Sequence, residues 1–154
     1  MKKKSLFVLA ALTALAIIGV SAAYVHYTQS ITPMLSFVSG TEYGFGEAGQ
    51  IIVKVHNVYG QPIAANECNV SIYYPDKTLF VDSQAMTQGG APGSWYYQFD
   101  TPFDKIGVYE AYVTCNVSLP GGRSRIISAS KAFHVSHPLA LVNETASAMI
   151  TIIS

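Results

Sequence analysis

Two cysteines, Cys68 and Cys115, have the most definite chemistry in this 154-residue chain. Each lies in a segment where apolar and polar residues alternate, and each occupies an inward position of that pattern. In an oxidising compartment such a pair forms a disulfide by default, and no CxxC motif or nearby histidine cluster indicates redox activity or metal binding instead. We therefore predict a Cys68–Cys115 disulfide that bridges the core of a β-sandwich.

Three asparagines lie in Asn-x-Ser/Thr triplets, the acceptor pattern for N-linked glycosylation: Asn69, Asn116 and Asn143. The triplet is common by chance. However, Asn69 and Asn116 each follow an inward cysteine by one position, so both are expected to face outward. We expect a glycan on at least one site if the host glycosylates exported proteins, and otherwise these asparagines are solvated polar positions.

Outward aromatic residues could form a ligand surface, since flat rings can stack on sugar faces. The candidates for such a face are Tyr73, Tyr96, Tyr112 and Trp95. Packing is the favoured interpretation, because Trp95 alternates inward and the tyrosines fit ordinary cross-strand pairs. A binding face remains the alternative.

No residue pattern indicates catalysis, a metal site or a cofactor. His134 and His137 are three residues apart, but on a strand this spacing does not bring their rings together. Asp100 and Asp104 flank a loop and would give Ca²⁺ only two acidic ligands. No nucleophile motif such as GxSxG is present, and no carboxylate pair can be assigned to a cleft. We therefore predict a protein that is not an enzyme and that carries no metal or cofactor.

Alternation of apolar and polar residues recurs along the chain and predicts short β-strands. It is clearest at residues 109–117, where five inward residues alternate with four outward ones. Similar segments cover residues 50–57, 68–74, 94–100 and 125–135. About seven short antiparallel strands with Gly- and Pro-containing turns predict an all-β fold, a single β-sandwich. Lys131 falls inward on the last strand, which a bulge near Ser130 or an edge position would explain.

Residues 1–23 are predicted to be an apolar helix that serves as a signal peptide or a membrane anchor. Lys2, Lys3 and Lys4 precede an uncharged apolar run, and small residues at 20–23 fit a signal-peptidase site. Extended to Val25, the run has roughly 20 residues, enough to span a bilayer and leave the domain outside. Both alternatives predict an exported domain at the cell surface or in the extracellular space, membrane-anchored or secreted.

The rest of the chain divides into a linker at residues 24–40, a sandwich domain at 41–136 and a tail at 137–154. The spacing of apolar residues favours a helical tail, although the β-branched residues at 150–153 also fit a strand. Without Lys2, Lys3 and Lys4, six basic residues remain against nine acidic ones, a net charge of −3. This balance gives no basic footprint for nucleic acid.

Two stretches resemble Ig-like modules of bacterial and archaeal cell-surface proteins, of the invasin/intimin or macroglobulin kind. The first is Glu47-Ala48-Gly49-Gln50-Ile51-Ile52-Val53, followed by Asn57 and by Gly60-Gln61-Pro62-Ile63. The second comprises residues 72–79 and the entry Gly107-Val108-Tyr109-Glu110-Ala111. The resemblance covers about residues 42–136 and implies an Ig-like sandwich. It does not extend to antibody-type domains, because Val113 stands where those have a tyrosine two positions before the second cysteine.

The resemblance implies a non-enzymatic module with a structural or adhesive role at the cell surface or envelope. Its expected partners are other cell-surface proteins or glycans, and also the membrane if the leader is not cleaved. Two alternatives stay open: a carbohydrate-binding module, and a filament subunit that assembles by donating a strand to its neighbour.

Overall fold

The computed structural model describes residues 13–25, 27 and 31–137. Residues 13–25 are helical, and within the described residues no helix is long and apolar enough to cross a membrane. The remainder of the predicted leader and residues 138–154 lie outside the described residues, so the full leader helix and the tail helix stay predictions.

The described residues form nine strands, most of them short. In chain order they are β1 Met34–Phe37, β2 Glu42–Gly44, β3 Ala48–His56, β4 Ala65–Tyr73, β5 Leu79–Ala85, β6 Thr87–Gln88, β7 Ser94–Asp100, β8 Gly107–Leu119 and β9 Arg123–Ser136. One sheet has the order β1-β3-β7-β6 and the other β2-β9-β8-β4-β5. Every pairing is antiparallel except that of β2 with β9. The predicted all-β sandwich is confirmed, with two short strands, β2 and β6, that show too little alternation to be recognised in the sequence.

The sandwich begins earlier than residue 41, inside the predicted linker. Strand β1 pairs with β3, from Met34 opposite His56 to Phe37 opposite Val53. Leu35 and Phe37 pack against the core. The sandwich domain therefore begins at Met34. Strand β1 is hard to recognise in the sequence because it has four residues and only two of them face inward.

The core contains the inward residues that the alternation predicts on β3, β4 and β8. The buried hydrophobic residues of these strands are Ile51, Val53, Val55, Cys68, Val70, Ile72, Tyr109, Ala111, Val113, Cys115 and Val117. Aromatic rings join the two sheets, because Phe99 of β7 lies 5.6 Å from Phe133 of β9 and 6.1 Å from Phe80 of β5, between ring centroids. The core is therefore continuous between the sheets.

The disulfide between Cys68 and Cys115 is confirmed, but its predicted position across the sandwich core is wrong. The two residues lie directly opposite one another on β4 and β8, adjacent strands of one sheet, with 4.1 Å between their Cα atoms. Inward positions specify a face of the sheet but not which strands are neighbours. The bond therefore links two strands within a sheet rather than the two sheets.

Lys131 faces inward on a strand without a bulge. The β8–β9 register is unbroken from Gly107 opposite Val135 to Leu119 opposite Arg123. Of the two explanations for an inward lysine, the edge position is correct. β2 covers β9 only at His134–Ser136, and Nζ of the half-buried Lys131 donates to the carbonyl oxygen of Ser39 at 2.6 Å.

Candidate interaction surface

Two tyrosines meet on the outer face of the sheet that contains the disulfide. Tyr73 ends β4 and Tyr112 lies on β8, and the register places Tyr73 opposite Glu110 and Ser71 opposite Tyr112. The tyrosines are therefore diagonal neighbours, within reach of each other's rings. Their centroids are 5.7 Å apart and the rings are nearly perpendicular, at 84°. Tyr112 is 45% exposed, so part of this pair is available to a ligand.

An ion pair borders the two rings. Lys77, in the turn between β4 and β5, places Nζ 3.2 Å from the Glu110 carboxylate. Hydrogen bonds from Lys77 and then from Tyr112 lower the pKa of Glu110. The hydrogen bond to Glu110 and its negative charge raise the pKa of Tyr112. The tyrosine hydroxyl is therefore a neutral donor that is already oriented by the carboxylate.

Tyr73, Lys77, Glu110 and Tyr112 together line a shallow depression of about 240 Å³, which we call the aromatic hollow. It presents an exposed ring, a cation and an anion within one small area. Such a surface can contact a partner by ring packing and by polar bonds at once.

The other two aromatic candidates lie elsewhere. Tyr96 is on β7 in the opposite sheet, opposite Ile52 and Thr87, with its half-buried side chain on that sheet's outer face. Trp95 is only 7% exposed and belongs to the core. The four predicted residues therefore do not form one face, and only Tyr73 and Tyr112 come together.

The two glycosylation candidates within the described residues are both half-buried, and Asn143 lies outside that part of the chain. Asn69 is opposite Thr114 on β8 and Ala85 on β5. Asn116 has a buried Oδ1 atom that accepts no hydrogen bond from the described residues. Whether a glycan is attached at these sites stays a prediction.

The histidines and acids considered for metal binding remain apart. Among the described residues, no three His, Cys, Asp or Glu side chains gather in a metal-binding group. His137 instead stacks on Phe45, with 4.9 Å between ring centroids. Asp100 ends β7 and Asp104 lies in the loop that follows it.

One Ser–His pair occurs on the outer face of the other sheet. Ser36 Oγ is 2.6 Å from His56 Nε2, and His56 Nδ1 is 2.7 Å from the carbonyl oxygen of Asn57. Because a carbonyl only accepts, neutral His56 carries its proton on Nδ1 and accepts from the Ser36 hydroxyl. Among the described residues, a backbone carbonyl therefore takes the place on His56 Nδ1 that a carboxylate holds in a catalytic triad.

Sequence reasoning did not identify the Lys77–Glu110 pair, because its members are 33 residues apart and meet only through the β4–β8 register. The available signal was weak: a lysine in the turn after Tyr73, and a glutamate two residues before Tyr112 on an outward position. The β4–β8 register is what brings all four residues of the aromatic hollow together, and these signals do not determine it.

No protein-family model matches the chain, and none of the curated protein sequences is similar to it. Several solved structures are distantly similar in fold. The Lin-41 filamin domain is 15% identical, with a TM-score of 0.44, over 66% of this chain and 91% of that chain. A cohesin module of a Clostridium perfringens family 33 glycoside hydrolase is 15% identical, with a TM-score of 0.41, over 70% of this chain and 98% of its own.

Escherichia coli alpha-2-macroglobulin is 13% identical, with a TM-score of 0.49, over 68% of this chain but only 6% of its own length. Likenesses this distant give no information about activity or partners. Conclusions about function therefore depend on the surface of this chain itself.

Proposed function

We propose that this chain is an exported, non-enzymatic Ig-like module that contacts other cell-surface molecules through the aromatic hollow. The observation that carries the proposal is the pair of half-buried Tyr73 and exposed Tyr112 beside the Lys77–Glu110 ion pair on one outer face. Partly exposed tyrosines with fixed rings lose little conformational entropy on binding and are frequent anchors of protein interfaces. This favours a protein partner, and so the structural or adhesive role.

The disulfide supports the export part of the proposal. Cys68 and Cys115 are both buried and bonded to each other, and such bonds persist in oxidising compartments. The Lys-led apolar leader provides a route to such a compartment, either as a cleaved signal or as a membrane anchor. An anchored form would keep the module beside the membrane, where it can contact neighbouring surface proteins.

The test is an adhesion assay. Beads are coated with the wild-type protein or a variant and presented to intact cells that display the wild-type chain, and the beads retained on the cells are counted. We expect Tyr112→Ala to reduce bead retention about tenfold, as for a central aromatic contact of an interface. Tyr96→Ala is the matched control, because it removes a half-buried tyrosine from the outer face of the opposite sheet. Equal retention by wild type and Tyr112→Ala, with both proteins folded, would contradict the proposal.

A carbohydrate ligand is the second candidate, because an exposed ring flanked by a carboxylate and an ammonium group also suits a sugar. The perpendicular rings form a corner rather than a flat platform, so only one ring could stack on a sugar face. A glycan array distinguishes the two candidates. Binding to a printed glycan that is lost in Tyr112→Ala favours the sugar, whereas a blank array together with cell adhesion favours a protein.

A further inference from the structure

Strand β9 has a long edge without a partner strand. Its C-terminal end pairs with β2 at His134–Ser136, and its other side pairs with β8 along the whole strand. Within the described residues, no strand pairs with the side of residues 123–131 that points away from β8. We call this side the free edge.

The backbone groups at the free edge belong to every second residue. Cys68 and Cys115 form a closely spaced pair, with 4.1 Å between Cα atoms, which is typical of a non-hydrogen-bonded antiparallel pair. Backbone groups of Cys115 therefore point to β9, where its partner is Ile127. The even-numbered residues of β9 must point the other way, as the bond from His134 N to Thr41 O shows. The free edge thus offers the N–H and C=O groups of Ser124, Ile126, Ser128 and Ser130.

The other sheet edges are short or irregular. β1 has four residues and β6 has two, whereas β5 pairs with β4 through register shifts and contains Ser83 with φ of 43°. Short strands and bulges are features that prevent an edge from pairing with another chain. The free edge of β9 is long and has no bulge, and β1, although close to β9, pairs with β3 instead. The edge therefore keeps backbone groups that an added strand could use.

The same edge carries an excess of positive charge. Six basic residues follow the leader, and three of them, Arg123, Arg125 and Lys131, lie on β9. All three are at odd positions, so their side chains project on the core-facing side of the sheet. Arg123 and Arg125 are exposed there, whereas the half-buried Lys131 donates to the carbonyl oxygen of Ser39. In the described part of the chain, Lys77 and Lys105 are paired with carboxylates, while these three form no ion pair.

We propose that the free edge of β9 binds an extended, acidic peptide segment of a partner protein by strand addition. An added strand would take up the four even-numbered backbone positions, and its side chains at alternate positions would lie beside the exposed Arg123 and Arg125. Opposite charges in such cross-strand positions are favourable. The proposal does not depend on the aromatic hollow, which involves β4 and β8.

Charge makes two other occupants less suitable. A second copy of β9 would place arginines and a lysine beside the same cations, and like charges in cross-strand pairs are unfavourable. Residues 138–154 of this chain contain one acidic residue, Glu144, which cannot pair with both exposed arginines. Both occupants are nevertheless distinct outcomes of the test below.

The test uses hydrogen exchange by NMR on the full chain, with a blocked nine-residue peptide that alternates glutamate and threonine. Without peptide, the amides of Ser124, Ile126, Ser128 and Ser130 should exchange fast, and those of the odd-numbered residues slowly. Added peptide should protect the even-numbered set. A lysine–threonine peptide of the same length is the control and should give no protection.

Variants separate strand addition from simple charge attraction. The double change Arg123→Ala with Arg125→Ala should weaken peptide binding about fivefold, whereas Lys54→Ala, on the other sheet, should not change it. Ser128→Pro removes one donor from the free edge without removing a bond to β8, so it should abolish binding while the fold persists. If Ser128→Pro binds like the wild type, strand addition is wrong.

Two results without peptide would also overturn the proposal. Protection of the even-numbered amides that disappears when residues 138–154 are deleted would assign the edge to the chain's own tail. Protection that grows with protein concentration would assign it to a second copy. Equal binding of the lysine and glutamate peptides would remove the charge argument.

Discussion

Asp76 determines the turn between β4 and β5 through a few short bonds. Its Oδ1 atom accepts from the backbone N–H of Thr78 at 2.9 Å and from the Thr78 hydroxyl, and Lys105 Nζ lies 3.2 Å from Oδ2. The Thr78 hydroxyl, then the Thr78 backbone, lowers the pKa of Asp76 from 3.8 to about 2. Pro75 and Asp76 favour such a turn, because proline fixes a turn corner and an aspartate side chain can bond the backbone two residues further on.

The lowered pKa predicts how stability depends on acid. A carboxylate whose pKa is lower in the folded state stabilises the protein fully above its unfolded pKa, here 3.8, and loses that effect as the pH falls through about 2. We expect the melting temperature of wild type to exceed that of Asp76→Asn at pH 6 and the difference to vanish near pH 2. The asparagine keeps an acceptor for the Thr78 N–H, so the change isolates the charge.

An NMR titration of the Asp76 carboxyl carbon provides the direct check. Thr78→Val removes the hydroxyl donor, the largest cause of the shift, and should raise the Asp76 midpoint toward 3.8. An Asp76 midpoint that is the same in wild type and Thr78→Val would show that the hydroxyl does not hold the charged form.

At the scale of strands, the disulfide fixes the pairing of β4 with β8. The bond closes a loop with a sequence separation of 47, and on the chain-entropy model such a loop stabilises the fold by ~4 kcal/mol. We expect the pair Cys68→Ala with Cys115→Ala to lower the free energy of unfolding by about that amount in urea titrations, while strand content persists. Wild type with reductant is the matched control, because it opens the bond without removing side-chain volume.

Alkylation followed by mass measurement checks the premise of that prediction. The protein should take up no label before reduction and two labels after reduction and unfolding. If the double alanine variant unfolds at the same urea concentration as the oxidised wild type, loop closure contributes nothing measurable.

The sequence predicted which residues face inward much better than which strands are neighbours. Alternation is a local property, and a strand such as β8, buried along its inner face, displays it over many residues. Adjacency and register depend on contacts between distant segments. For this reason the sequence places the disulfide between the two sheets although it lies within one, and it does not reveal that Tyr73 meets Glu110 and Tyr112.

At the scale of the whole molecule, aromatic rings connect the two sheets where the disulfide does not. Phe99 is the member from the β1-β3-β7-β6 sheet, and its ring contacts the rings of Tyr43, Phe80 and Phe133 from the opposite sheet. Alternation in residues 94–100 places Phe99 on the same inward face as Trp95, but it cannot show that the ring contacts three strands of the other sheet. Cooperative folding of the sandwich should therefore depend strongly on this one ring.

We expect Phe99→Ala to lower the free energy of unfolding by about 3–5 kcal/mol in urea titrations, the usual cost of truncating a buried phenylalanine. Phe103→Ala is the control: this ring is 75% exposed, and its loss should change stability by less than about 0.5 kcal/mol. Gly49 gives an independent check, because a Cβ atom there would lie 2.3 Å from Cζ of Phe99. Gly49→Ala should displace the ring and destabilise the protein although it removes no atom from the core. A Phe99→Ala protein as stable as Phe103→Ala would mean that the sheets are held together by the aliphatic core alone.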